Sequence, residues 1–199
     1  MANSILCLRT NQDLYTKTIK AKPTDSAIET LGIGLQKASK SGIALEFGVY
    51  SGKTLNLIAE QFPFQTFGFD SFDGLPEFWR EGFDQGTFAT SSIPDVRGAT
   101  IIVGLFQDTL PGFIGSLDKK ISFIHLDADL YSSTKFALSQ LNANIKKGCV
   151  IVFDEFMNYP DFENHEYLAF REWLEEFDRK CKPIAYTGNH EQMCFVVTK

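Results

Sequence analysis

"EFGVYSGKT", residues 46–54, decides how the rest of the chain is read. Its Gly-Lys-Thr ending suggests a phosphate loop. Such a loop needs Gly-x4-Gly-Lys-Ser/Thr, so that backbone amides encircle a phosphate while the lysine and the hydroxyl reach it. Here only three residues separate Gly48 from Gly52, and Phe47 occupies the position of the first required glycine. The ring is one residue too small. A dinucleotide fingerprint fails as well, because Gly-x-Gly-x-x-Gly demands a closer glycine pair. What remains is Glu46-x-Gly48-x-Tyr50-x-Gly52, with an acid closing a short apolar run.

That run, Ile43 to Phe47, reads as a strand, and Leu55, Ile58, Ala59 and Phe62 follow the loop at helical spacing. Upstream, Ser26-Ala-Ile-Glu29 is a capping box for a helix carrying Ile28, Leu31, Leu35 and Ala38, so residues 1–42 are expected to form an N-terminal helical segment. Downstream, Gln65 to Phe69, Thr100 to Val103, Ile121 to Leu126 and Cys149 to Phe153 read as further strands. Between the last two, a helix capped by Ser132 or Ser133 is expected to bury Leu138, Leu141 and Ile145 and to end at Gly148 after Lys146 and Lys147. A longer helix over about Glu163 to Phe177 places Tyr167, Phe170, Trp173, Leu174 and Phe177 on one side. Pro183 to Thr187 and Gln192 to Val197 then pair as a hairpin around residues 188–191. Apolar strands alternating with amphipathic helices predict an α/β fold. The expectation is a three-layer, doubly wound sheet of about seven strands, mostly parallel, with an antiparallel C-terminal hairpin.

Its 199 residues suit one domain, 1–199. No apolar run approaches the ~20 residues of a spanning helix, so a soluble protein with no membrane partner is expected. The stretch Met1 to Thr10 lacks an export signal, so a cytoplasmic location is expected. Net charge is −6 with no basic cluster, which argues against nucleic acid. Cys7, Cys149, Cys181 and Cys194 are scattered and read as reduced structural thiols. The 19 phenylalanines exceed what a minimal core requires and point to an aromatic-lined cavity, with generous core packing as the plainer reading.

An acid at Glu46 suits an ammonium better than a pyrophosphate. S-Adenosylmethionine carries an ammonium, a carboxylate and a sulfonium and no phosphate, so this strand-turn-helix can hold it with the acid kept. Asp70, in "FGFDSFDG", ends the next strand ~20 residues after the glycine turn, where such folds place an acid on the ribose hydroxyls. Glu46 alone would read equally well as a partnered, half-buried carboxylate; with Asp70 at this spacing the cofactor reading prevails.

Four stretches in order, "LEFGVYSGKT", "GLFQDTLPG", "HLDADLYSST" and "VIVFDEF", resemble the macrocin O-methyltransferase group of metal- and S-adenosylmethionine-dependent enzymes, and more distantly the catechol O-methyltransferases. The resemblance runs from about Ile43 to Phe156. It implies that Glu46, Gly48, Tyr50, Gly52 and Thr54 surround the methionine end of the cofactor, with Asp127 close by. It further implies that Asp70 takes the ribose, that Ser71 and Phe72 lie beside the nucleoside, and that Gln107 reaches the adenine. Lys53 is left as a solvated first-turn lysine.

Asp127, Asp129, Asp154 and Glu155 end two neighbouring strands and are expected to gather at one rim of the sheet. Four converging acids repel unless a cation holds them, and oxygen ligands favour a hard ion such as Mg²⁺. The resemblance implies Asp127, Asp154 and Glu155 as the ligands, although the macrocin group usually has Asp at the last of these. A divalent ion on the acceptor oxygen would lower its pKa and hold it in line with the methyl group. Catechol enzymes place a lysine close by as base; the first lysine of this stretch is Lys135, so Asp129 is the candidate, with a bystander role beside the ligands as the other reading. His125, inside a strand, reads as a core histidine and His190 as a turn residue, while His165 near the rim could touch substrate.

Residues 75–97, "LPEFWREGFDQGTFATSSIPDVR", form a long, glycine-punctuated connection with Phe78, Trp79, Phe83 and Phe88. It reads as a lid over the acceptor pocket, or as a surface helix with aromatic anchors. The expected partner is a small-molecule hydroxyl acceptor, first a sugar or glycosylated natural product and second a catechol-like diol, with self-association into a homo-oligomer left open. Competing readings are an aspartate-based phosphohydrolase, from Asp127-x-Asp129, a phosphate-loop nucleotide binder, and a non-catalytic cofactor-binding protein.

Overall fold

A computed structural model describes residues 16–18 and 20–199 of the chain. Cys7, the Met1 to Thr10 stretch and the first part of the 1–42 segment lie outside the described residues. Eight strands form one sheet: β1 (Lys22–Thr24), β2 (Ile43–Phe47), β3 (Thr66–Asp70), β4 (Ala99–Val103), β5 (Ile121–Leu126), β6 (Ile145–Phe153), β7 (Cys181–Thr187) and β8 (Met193–Val197). Their order is β1-β7-β8-β6-β5-β2-β3-β4. Only the pairs made by β8, with β6 and β7, are antiparallel. The helices are α1 (Ala27–Lys37), α2 (Lys53–Gln61), α3 (Phe106–Gly115), α4 (Tyr131–Leu141) and α5 (Glu166–Glu176). None of the described helices is long and apolar enough to cross a membrane.

Both sheet faces are covered, which is why the central strands are apolar at nearly every position. Leu45, Phe47, Ile124, Leu126, Ile151 and Phe153 share one core with Leu110 of α3, Leu138 of α4, and Phe170 and Trp173 of α5. On the opposite face Ala44, Phe123, Val150 and Val152 meet Leu31 and Leu35 of α1 and Ile58 of α2. The two-residue period of a strand makes this sorting inevitable. It also places Glu46, two residues after Ala44, and His125, two after Phe123, on the α1/α2 side at paired positions.

The capping box at Ser26 forms, with Ser26 Oγ accepting from the Glu29 N–H at 3.2 Å and Glu29 Oε2 accepting from the Asp25 N–H at 3.1 Å. Three expectations need correction. The sheet has eight strands because Lys22–Thr24, inside the expected helical segment, pairs with β7; Thr24 Oγ1 holds the edge by bonding Thr30 and the Tyr186 carbonyl. The helix expected to run to Gly148 stops at Leu141, and Ile145–Gly148 begin β6. Tertiary contacts end it there: Asn142 Oδ1 accepts from Trp173 Nε1 at 3.1 Å and from Arg179 Nε at 2.9 Å, which fixes the chain at that point. Neither Ser132 nor Ser133 caps this helix; Leu130 is its N-cap, and Ser132 Oγ donates to Glu77 instead.

Candidate active site

The chain leaves β2 toward β3 and β5 toward β6, in opposite directions, so the sheet order reverses between neighbouring strands β2 and β5. A crevice opens at such a point, beyond the carboxyl ends of the strands. Here it is a cavity of about 410 Å³ lined by Gly48, Tyr50, Asp70, Ser71, Gln107, Asp127, Asp129 and Glu155 among the sequence-predicted residues. Its volume falls in the range of small-molecule sites.

Backbone geometry shapes one wall. Gly48 has φ +90°, and a Cβ there would lie 1.8 Å from the Asp127 carbonyl oxygen, so only glycine lets the β2 turn pass the end of β5. Asp70 does more than face a ligand. Its Oδ2 accepts from the Val49 and Tyr50 N–H groups at 2.8 Å each, and its Oδ1 from the Phe72 N–H at 2.8 Å. The carboxylate therefore organises the glycine turn while still lining the cavity. Gly52 (φ +75°) caps α2 and packs against Pro94 and Val96, so it and Thr54 support the turn from outside the cavity lining. Phe72 belongs to the core with Val49 and Leu55. Lys53 is exposed, as expected of a solvated lysine.

Glu46 is fully buried and is not among the residues lining the cavity. Its Oε1 lies 2.8 Å from His125 Nδ1, and its Oε2 has no hydrogen-bond partner. Burial raises the Glu46 pKa against the opposing pull of His125 and the Thr54 hydroxyl. Burial alone would lower the His125 imidazole; Asp154, Glu46 and Asp127 overcome that and hold it well above its usual range. His125 is thus a buried partner of acids on both sides, with Nε2 at 3.7 Å from Asp154 Oδ1.

The rim acids do gather, but in two overlapping groups that share Asp127. Carboxylate oxygens of Asp127, Asp129 and Glu155 lie within 4.8 Å of one another, and so do donor atoms of His125, Asp127 and Asp154. Asp154 and Glu155 lie just past the end of β6; Asp154 joins the His125 group and Glu155 the Asp129 group, and the two carboxyls still interact with each other. Burial and the Asp154 charge raise Asp127 and Glu155 well above the carboxylate range. The same causes push Asp129 to about 7, against the pull of Arg80. Burial would raise Asp154 too, but His125, Glu155 and Gln192 outweigh it and leave Asp154 lowered. Glu155 Oε2 is buried without a partner. A hard divalent ion fits this donor set: it would neutralise the crowding and give that oxygen a ligand to bind. Asp129 holds φ +60°, a strained conformation of the kind found at functional sites.

Several side chains here escaped the sequence reading. Arg80 lines the cavity, bridges to Glu191 at 3.1 Å and lies over the rings of Trp79 (3.9 Å) and Tyr159 (4.5 Å). Gln192 Nε2 donates to Asp154 Oδ2 at 3.2 Å. Glu166, fully buried, accepts from the Glu155 N–H at 3.1 Å and from Thr134 at 3.2 Å, and burial pushes it to about 8. The hairpin gave no sequence signal of nearness to the rim, and at the start of α5 the sequence pointed to His165 rather than to Glu166. His165 packs edge-on to Trp79 and is not among the residues lining the cavity, and burial lowers its pKa.

Comparison with known proteins adds the following. Residues 87–177 match the family model "Macrocin-O-methyltransferase (TylF)". That span holds "HLDADLYSST" and "VIVFDEF", and so bears out the family resemblance read from those motifs; the Glu46 turn lies outside it. No curated protein matches. Among solved structures, the calicheamicin methyltransferase CalS11 superposes with a TM-score of 0.67 at 20% identity, covering 95% of this chain and 84% of that one. The O-methyltransferase NovP gives 0.62 at 20% identity, covering 86% and 81%. An O-methyltransferase from Bacillus cereus, in complex with SAH, gives 0.54 at 14% identity, covering 88% and 83%. At these identities the superpositions establish a shared methyltransferase fold.

Proposed function

Taking the chain as an O-methyltransferase on its match to the macrocin-O-methyltransferase model, we propose that it moves a methyl group from S-adenosylmethionine to a hydroxyl of a sugar or glycosylated natural product, with help from a divalent cation such as Mg²⁺. A cavity at the β2/β5 reversal, walled on one side by the Gly48–Asp70 turn and on the other by the crowded carboxylates, carries this reading. CalS11 is described as a TDP-rhamnose 3'-O-methyltransferase, which supports a sugar acceptor.

In this reading the methionine end lies against Gly48 and Tyr50, the ribose near Asp70 and Ser71, and the adenine toward Gln107. Glu46 and Thr54 shape the turn from behind, and Gly52 and Phe72 fix its two ends. When bound, the cofactor supplies an activated methyl on a sulfonium. A divalent ion at Asp127, Asp154 and Glu155 would supply Lewis acidity toward the acceptor oxygen. Asp129, lining the cavity beside these ligands, is placed to take the hydroxyl proton. Residues 75–97 act as the lid of a single catalytic unit: Leu75, Trp79, Phe83 and Phe88 wall the cavity, and Pro94 and Val96 rest on Gly52. They form no helix; an isolated bridge between Arg80 and Phe83 is their only regular pairing among the described residues.

A methyl-transfer screen of sugar and phenol acceptors, with and without divalent metal, tests the proposal. Transfer to a sugar that stops on chelation is expected. Preference for catechols would favour the second acceptor class. For the base, Asp129→Asn should lower kcat by about 10² or more while metal affinity holds; unchanged turnover would remove Asp129 from that role.

A further inference from the structure

We propose that His125 is a nitrogen ligand of the metal centre, held in register by Glu46, and that the centre therefore selects a first-row transition ion such as Mn²⁺, Fe²⁺ or Co²⁺ over Mg²⁺. The inference rests on the divalent-cation part of the proposed function and changes its donor set. Glu46 on β2 and His125 on β5 stand side by side with 0% and 1% exposure, and Asp154, the first residue after the adjacent β6, brings its carboxylate to the other side of the His125 ring. His125 Nδ1 lies 2.8 Å from Glu46 Oε1, so this nitrogen carries its hydrogen toward the carboxylate. Nε2 is then the nitrogen that an incoming ion would take up in exchange for a proton, and the ring is held against rotation. A metal-bound histidine is almost always arranged in this way, its second nitrogen donating to a carboxylate that fixes both tautomer and orientation.

The donor spacing agrees. His125 Nε2 and Asp154 Oδ1 are 3.7 Å apart, longer than a hydrogen bond between them requires, and an Asp127 oxygen completes the group within 4.8 Å. Two donors each ~2.1 Å from one ion stand about 3.7 Å apart when they subtend roughly 120°. The neighbouring unpartnered Glu155 Oε2, in a side chain that is 9% exposed, shares Asp127 with this group and extends the donor set on its other side. Gln192, donating to Asp154 Oδ2, leaves Asp154 Oδ1 for the ion. Imidazole favours transition ions, whereas an all-oxygen site suits Mg²⁺. The arrangement also gives Glu46 a function that does not require it to reach the cofactor.

Pulsed EPR of the full-length protein loaded with substoichiometric Mn²⁺ reads the ligand directly. Electron spin-echo modulation from a directly bound ¹⁴N is expected, and this measurement on the unaltered protein depends on no variant folding. In His125→Gln, checked for a cooperative unfolding transition, the modulation should vanish and Mn²⁺ affinity by calorimetry should fall about tenfold or more, with Mg²⁺ affinity changing less. Bound Mn²⁺ without ¹⁴N modulation would overturn the proposal and leave an all-oxygen metal site standing. Failure to bind Mn²⁺ at all would overturn it together with the metal part of the proposed function, while S-adenosylmethionine titration separately decides the cofactor part.

Discussion

Raising the pH of the metal-free protein from about 5 to about 8 should cost it about 3 kcal/mol of folding stability, or more. Asp129 is moved from 3.8 to about 7 by burial and by the Asp154 charge. A carboxyl raised in the folded state holds its proton where the unfolded chain has released it. Its stabilising contribution is complete below the ordinary value and is lost as pH climbs through the folded one. At about 1.36 kcal/mol per unit, the whole displacement is worth about 4 kcal/mol, of which about 3 falls above pH 5. Asp127, Glu155 and the His125 imidazole, all raised, act in the same direction. Asp154, lowered, titrates below this window. Urea unfolding in chelator at several pH values measures the effect through the midpoint at constant m. Saturating divalent metal should flatten the slope, because an ion replaces the protons that relieve the crowding. Stability that stays level or rises from pH 5 to pH 8 in chelator would refute the clustering of these acids.

Two substitutions probe the cavity wall. Gly48→Ala must place a Cβ on the Asp127 carbonyl and hold a left-handed backbone, so a loss of roughly 3 kcal/mol or more is expected in urea unfolding; a loss under about 0.5 kcal/mol would contradict the close approach of β2 and β5. Asp70→Asn puts an amide donor among three backbone N–H groups, and should weaken S-adenosylmethionine binding about tenfold or more by calorimetry. Unchanged affinity would mean that Asp70 neither builds the turn nor meets the ligand.

The sheet was legible because its central strands are buried on both faces and so read as near-continuous apolar runs, "CVIVF" unbroken and "IALEF" interrupted only by Glu46. The edge strand "KPT" carries no such pattern; a threonine hydroxyl network and its pairing to β7 define it, and neither is visible locally. The end of α4 was misplaced for a similar reason, since Trp173 and Arg179 clamp Asn142 from far along the chain. At the site, the glycine turn and the acids were identifiable by type and order. Their partners were not: pairing Glu46 with His125 requires the parallel register of β2 and β5. Arg80 and Glu166 lie in segments read as near the pocket, the lid and the start of a helix, but no spacing singled them out, and Gln192 lies in a hairpin with no such reading.

The central claim is that the "EFGVYSGKT" turn and the cavity beyond it hold S-adenosylmethionine rather than a nucleoside triphosphate. Isothermal titration of the protein with each, in the presence of divalent metal, tests this most directly. S-Adenosylmethionine should bind at a single site, with that binding weakened in Asp70→Asn, and ATP should give no saturable heat. Saturable ATP binding without S-adenosylmethionine binding would contradict the account.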